Sequence, residues 1–225
     1  MTQHSSIITL VRIIGFVLTL IVCWWVLNQR FDQVLSILII VGGMLAVFPV
    51  VWIGRMMLDA QPTVDHTAWM TTIVHYALMI LLGTAIIEAT KFGQVRPGWT
   101  IPLPPEIGWA LMVVTGVAML LTVVNLALRG LGAPFAIALS QRLAMDLLYA
   151  WTRNPMVLTC VAFLLAVGLW LRSVWFVLWV VALVTPAWVM FLKAFEEREL
   201  EIRFGASYLE YKAKTPMLWP RKPRA

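Results

Sequence analysis

Residues 156–192 read MVLTCVAFLLAVGLWLRSVWFVLWVVALVTPAWVMFL, an apolar run whose single ionisable residue is Arg172. A membrane-spanning helix needs roughly 20 mostly apolar residues. The run is too long for one span and divides at Arg172-Ser173. Met156–Leu171 is the shorter half, 16 residues or about 24 Å of helix at 1.5 Å per residue. Val174–Leu192 is the longer half, and with two residues between them the halves form a tight antiparallel helical hairpin.

Four further apolar stretches precede the hairpin. Ile7–Leu27 is broken only by Arg12, and Val34–Gly54 has no ionisable group. Trp69–Ala89 contains His75 and ends with Glu88; Gly108–Leu128 holds Asn125 as its one strongly polar residue. The predicted fold is therefore all-α, a polytopic membrane bundle of about six spans. Gln94–Glu106, with Pro97, Pro102, Pro104 and Pro105, reads as an extended linker.

Composition agrees. The chain is 61% hydrophobic and 12% charged, against roughly 45–50% and about 25% for a soluble domain. That leaves too little polar surface to cover a water-soluble globule, and it excludes a disordered chain and a disulfide scaffold. Cys23 and Cys160 both fall in spans, make no metal-ligand spacing and read as small packing residues. The first span lacks a small-residue cleavage site, since Trp24-Trp25 stands where one belongs.

Six spans put both termini on one side. That side collects 13 of the 17 Lys and Arg residues, and the other has Arg30, Lys91, Arg96 and Arg172. The positive-inside rule then predicts cytoplasmic termini. The net charge of +6 belongs to these flanks and does not call for nucleic acid. Within the spans, Arg12 can snorkel, while His75 and Asn125 suit interhelical hydrogen bonds. Glu88 and Lys91 suit a solvated pair at the membrane surface.

Chemistry gathers after Arg129. The chain divides into a four-span scaffold, 1–128, and a charged region, 129–225. Phe191–Phe204 leaves the last span as a cytoplasmic amphipathic helix carrying Glu196, Glu197, Arg198, Glu199, Glu201 and Arg203. Gly205 is suited to end it in a left-handed conformation. Tyr208 and Tyr211 then stand three apart on one face of a short helix, which Pro216 and Pro220 close. Carboxylates are out of place beside an anionic membrane surface; the plain alternative is a solvated helix with Glu199 and Arg203 paired at i,i+4. Upstream, Leu139, Leu143 and Leu147 form a stripe that predicts a helix lying in the interface. It leads into Tyr149-Ala150-Trp151-Thr152-Arg153-Asn154-Pro155-Met156. Pro155 fits the first turn of the fifth span and Asn154 its N-cap. Arg153 adds positive charge beside a helix N-terminus, a setting that suits an anion.

Arg153-Asn154-Pro155-Met156, followed by Glu196-Glu197-x-x-Leu200-x-x-x-Phe204-Gly205-x-x-Tyr208-x-x-Tyr211, resembles the isoprenylcysteine carboxyl methyltransferase and phospholipid methyltransferase superfamily. The resemblance covers about Arg129 to Pro220. It implies a membrane enzyme that uses S-adenosylmethionine to methylate a lipophilic acceptor such as a prenylated cysteine or a membrane lipid. It further implies that Arg153, Asn154, Pro155, Glu196 and Glu197 build the cofactor pocket, with Arg153 and Glu197 in the catalytic role and Tyr208 and Tyr211 matching the pattern. Four positions depart from it: Leu147 and Thr159 stand where glycine is common, Val157 where tyrosine is, and Met217 where arginine is.

On that resemblance, Arg153 suits the donor's carboxylate, and Glu196 or Glu197 its ribose hydroxyls or amino group. Tyr149, Trp151, Tyr208 or Tyr211 suits adenine or the sulfonium. A carboxylate acceptor is already nucleophilic at neutral pH, whereas an amine needs a general base. The sequence offers no clear base, which favours carboxyl O-methylation. Phospholipid N-methylation, a sterol-type NADPH reductase with a related Arg motif, and a non-catalytic membrane protein are the alternatives.

Overall fold

In the computed structural model, which describes residues 2–95, 99–130 and 142–222 (with the side chains of 2–6, 95 and 130 left aside), the run 156–192 folds as a hairpin. The helices are α1 (Thr2–Asn28), α2 (Gln33–Ala60), α3 (Val64–Val95), α4 (Pro105–Asn125), α5 (Leu148–Trp151), α6 (Pro155–Trp170), α7 (Val174–Phe204) and α8 (Ala206–Lys214). Five of them are long and apolar enough to cross a membrane, and α6 is the short sixth at 16 residues. The chain is an integral membrane protein built as an all-α bundle.

The hairpin turn explains its own sharpness. Arg172 takes φ 55°, a positive value that lets α6 stop, and Ser173 caps α7 by accepting from the Phe176 amide. Residues 99–103 of the linker carry no helix and lie against this turn, with an isolated antiparallel bridge between Thr100 and Ser173. The Ile101 amide donates to the Arg172 carbonyl at 2.9 Å and the Val174 amide to Trp99 at 3.1 Å. The linker is shorter than the sequence suggested, because α3 runs on to Val95. Across from the turn, α4 meets α6 so closely that a Cβ on Gly108 would overlap the Trp170 backbone nitrogen.

Among the described residues, two apolar clusters hold the bundle. One joins Ile40 and Met44 of α2 and Ala85 and Ala89 of α3 to Phe176, Trp179 and Val180 of α7. The other joins Val51, Leu58, Met70 and Val74 to Phe191 and Phe195. Helix α7 is not uniform: Val180–Val184 and Leu192–Glu196 are wider π-type turns. The first lies just before Pro186, which brings no N–H to the helical ladder, and the Thr185 hydroxyl donates to the Val180 carbonyl at 2.9 Å. The second ends at the paired glutamates, and each wide turn advances the helix phase relative to a plain α-helix.

Two expectations change. Glu88 is not a solvated residue: it is 3% exposed, bonded to the Ser36 hydroxyl at 2.7 Å and to Lys91 at 2.8 Å. Lys91 also donates to the Val26 and Gln29 carbonyls, which closes the end of α1. The pair is a buried tie between α1, α2 and α3, because three helices meet there and exclude solvent. Likewise, the interfacial helix is absent from the described part of its stripe. Residues 142–147 carry no helix, Leu139 lies outside the described residues, and Leu147 itself adopts φ 52°, ψ −118°, which is incompatible with a helix. The short helix α5 starts one residue later.

Candidate functional site

The charged residues converge where α7 leaves the bundle and meets the start of α6. Arg153 precedes α6, and its Nη2 donates to Glu197 Oε1 at 2.5 Å while Nη1 donates to the Lys212 carbonyl at 2.9 Å. The other Glu197 oxygen lies 2.6 Å from Lys212 Nζ, which also reaches Glu201 at 3.0 Å. The side chains of Arg153 and Glu197 are 8% and 12% exposed, so their attraction acts in a poorly screened setting. The chain of ion pairs continues outward. Arg198 contacts Glu201 and Asp59, and Asp59 contacts Arg55, whose Nη1 donates to the Ala194 carbonyl.

Gly205 makes this convergence possible. Its φ of 54° is positive, as the sequence predicted, although ψ −129° takes it out of the left-handed helical basin. The reversal sends α8 back along α7, bringing Lys212 to Glu197 and burying Tyr208 and Tyr211 on the inner face of α8. The Tyr211 hydroxyl donates to the Tyr149 carbonyl at 2.6 Å, and the Tyr208 and Tyr211 rings lie tilted at 6.4 Å. Burial pushes the phenols of Tyr149, Tyr208 and Tyr211 well above their ordinary value, with neighbouring Glu196 adding to the shift at Tyr149 and Glu197 at Tyr208. For Lys212, burial acts against the charged form, but its hydrogen bonds to Glu197 and Glu201 outweigh this and raise its pKa.

A strap of chain beyond α8 closes over the Arg motif. The Arg153 amide donates to Pro216 and the Arg221 amide to Trp151, at 2.9 and 3.0 Å. The Thr152 hydroxyl and the Asn154 side-chain amide both donate to the Met217 carbonyl. Asn154 therefore occupies the N-cap position of α6 without capping it; its side chain is turned to the strap, and only its carbonyl serves the helix. Pro155 opens α6 as expected.

Of the residues singled out in the sequence, Arg153, Asn154, Glu197, Tyr149, Tyr208 and Tyr211 are joined by these contacts. Trp151 is 47% exposed, and only its carbonyl takes part. Glu199 does pair with Arg203 at i,i+4, but the pair is buried rather than solvated, with Glu199 3% exposed. Glu196 is set apart: it is half-buried and accepts no hydrogen bond from any described residue. Sequence reasoning missed Lys212, Thr152 and the strap. Thr152 lies inside the quoted motif, so its position was a signal; Lys212 and the strap are long-range partners that no spacing announces.

A cleft of about 390 Å³ opens beside α8, lined by Tyr211, Glu210, Lys214, Arg221 and Lys222 among others. Tyr211 is the one expected site residue on its wall. No cluster of His, Cys, Asp and Glu suited to a metal ion occurs among the described residues.

No curated protein and no solved structure matches the chain. Residues 105–207, from the start of α4 into α8, are similar to the phospholipid methyltransferase family, whose model matches that segment.

Proposed function

We propose that this protein is an S-adenosylmethionine-dependent methyltransferase that works at the cytoplasmic face and methylates a lipophilic acceptor. The observation that carries the reading is the contrast within one carboxylate pair. Glu197 is neutralised by Arg153 and Lys212, while the adjacent Glu196 has no cationic partner among the described residues, and burial together with Glu199 and Glu197 pushes its carboxyl up to about 8.

The residues fit the methyl donor. Glu196 suits the donor's ribose hydroxyls or its ammonium group. The Nε of Arg153 is buried without a partner, and it is the one nitrogen of the guanidinium that makes no hydrogen bond, the other two holding Glu197 and the Lys212 carbonyl. When bound, S-adenosylmethionine supplies an electrophilic methyl on a sulfonium. The protein's part is then alignment, which for two held reactants is worth about 7–11 kcal/mol at best. Arg153 and Lys212 fix Glu197, Glu197 fixes the start of α6 against α7, and the strap excludes water from this junction.

For the acceptor we favour a carboxylate of the isoprenylcysteine type. Glu197, Glu199 and Glu201 are each engaged by a cation, so none is free to deprotonate an amine, and a carboxylate needs no base. The family matched by residues 105–207 supports the second reading, N-methylation of an aminophospholipid, with Glu196 as the base. Membranes containing the protein are incubated with methyl-labelled S-adenosylmethionine. Alkali-labile label in a prenylated product is the expected result. Alkali-stable label in phospholipid selects the second reading, and no label, with no S-adenosylhomocysteine binding by folded protein, sinks both.

A further inference from the structure

Among the described residues the bundle holds two polar clusters at its helix junctions, and they differ in one respect. At one end, Glu88, Lys91 and Ser36 satisfy one another and the end of α1. At the other, where α1, α3 and α7 meet near the ion-pair chain, a second cluster is left incomplete. It contains Arg12 of α1, Thr67, Thr71, His75 and Tyr76 of α3, and Glu199 with Arg203 of α7. Arg12, His75, Glu199 and Arg203 lie within electrostatic reach of one another.

Three hydroxyls in this cluster, Thr67 Oγ1, Thr71 Oγ1 and Tyr76 Oη, are buried and have no hydrogen-bond partner. This is unusual even within α3, where Thr72, Thr84 and Thr90 each donate to the carbonyl four residues back. Arg12 uses Nε on Thr72 at 3.1 Å, and its two terminal nitrogens bond no described residue. His75 uses Nδ1 on the Thr71 carbonyl, leaving Nε2 without a described partner. A polar network serving packing alone satisfies itself, since each orphaned buried group costs about 1–3 kcal/mol. Polar groups at membrane depth that face the bundle interior mark substrate paths. Two arginines against one glutamate leave a surplus positive charge, surrounded by hydroxyl donors.

We propose that this cluster binds the anionic headgroup of the lipophilic acceptor, a carboxylate or a phosphate, with Arg12, Thr71 and His75 as its contacts. As an acceptor site it rests on the methyltransferase reading; as an anion site it stands alone. The cluster adjoins the glutamate pair, because Glu199 lies about one turn beyond Glu196 on α7. Arg12, Thr71 and His75 all lie outside the segment matched to the family, so acceptor choice is assigned to a different part of the chain from the family motifs.

The purified full chain, in an uncharged sugar-based detergent, is titrated with two matched pairs of probes. One pair is N-acetyl-S-farnesylcysteine and its methyl ester; the other is a short-chain phosphatidylethanolamine and the corresponding diacylglycerol. The expected result is at least tenfold tighter binding of the carboxylate- or phosphate-bearing member of one pair than of its partner that lacks that group, and the pair that shows it identifies the source of the anion. Arg12→Gln and Thr71→Val each reduce that ratio at least fivefold and leave S-adenosylhomocysteine binding unchanged. Thr71→Val removes a hydroxyl that has no partner, so the variant folds and remains informative even where Arg12→Gln does not. Equal binding within both pairs overturns the proposal, as does a ratio that survives both substitutions. Loss of the ratio in the variants of a protein that never binds S-adenosylhomocysteine keeps the anion site and removes the methyltransferase reading; the converse removes only the site.

Discussion

Glu196 and Glu197 are neighbours in sequence and opposites in circumstance. Glu197 is clamped between Arg153 at 2.5 Å and Lys212 at 2.6 Å, while Glu196 accepts nothing from the described protein. The π-type turn Leu192–Glu196 ends between them, and the proposed function assigns them different ends: Glu197 to hold the site together and Glu196 to meet the methyl donor.

Substitution should separate these roles. Glu197→Gln leaves Arg153 buried without its counter-ion, and breaking such a pair costs about 3–5 kcal/mol. Glu196→Gln should change stability by no more than about 0.5 kcal/mol but weaken S-adenosylhomocysteine binding at least tenfold. Thermal unfolding and calorimetric titration of both variants test this; equal effects on stability would contradict the division.

Leu147 offers a stability test independent of function. It sits at φ 52°, ψ −118°, in the turn closed by the Tyr149 amide on the Asp146 carbonyl, a conformation that suits glycine at this turn position. Strain of this kind costs of order 1–3 kcal/mol, and at 62% exposure the side chain has little packing to lose. Leu147→Gly is expected to stabilise by about 1 kcal/mol after glycine's greater unfolded freedom is subtracted. A lower melting temperature in this variant would refute the strained turn.

The resemblance had marked position 147 as one where glycine is common, and the backbone supplies the reason. The short fifth span, the hairpin turn, the i,i+4 pairing of Glu199 with Arg203 and the common face of Tyr208 and Tyr211 were legible because they depend on local length and helical period. The burial of Glu88 was not, since it depends on Ser36 and the end of α1 arriving from elsewhere in the chain. Nor was the Lys212–Glu197 contact, which requires the chain reversal at Gly205. The π-type turns of α7 defeat a simple period as well, so the faces of its last turns could not be read by counting from the apolar span.

The Glu88–Lys91 tie has its own test. Lys91→Met removes the cation from a buried carboxylate and should cost about 3 kcal/mol or more. Adding Glu88→Met should recover much of that, because two apolar groups replace a pair that no longer needs solvating. Unfolding temperatures of the single and double variants decide it, and a neutral single variant would mean the carboxylate is reached by water.

The tail should also impose an alkaline limit. Tyr149, Tyr208 and Tyr211 have folded pKa values raised above the unfolded value of about 10, and that of Lys212 is raised above about 10.4. Raised values mean that the folded state holds its protons longer. Their stabilising contribution is complete at neutral pH, then declines as pH rises past about 10 and through the folded values. Melting temperature against pH should be flat on the neutral side and fall above about pH 10. Lys212→Arg, whose charge persists, should make the fall shallower; an unchanged slope would remove Lys212 from the account.

The strap follows all of the apolar helices in sequence. Residues 215–221 supply the carbonyl and amide partners of Trp151, Thr152, Arg153 and Asn154, so in a growing chain the Arg motif waits, unfastened, until these residues have been made. Closure of the motif therefore comes after insertion: a chain cut at Lys214 keeps all six apolar helices and lacks the strap that fastens Arg153.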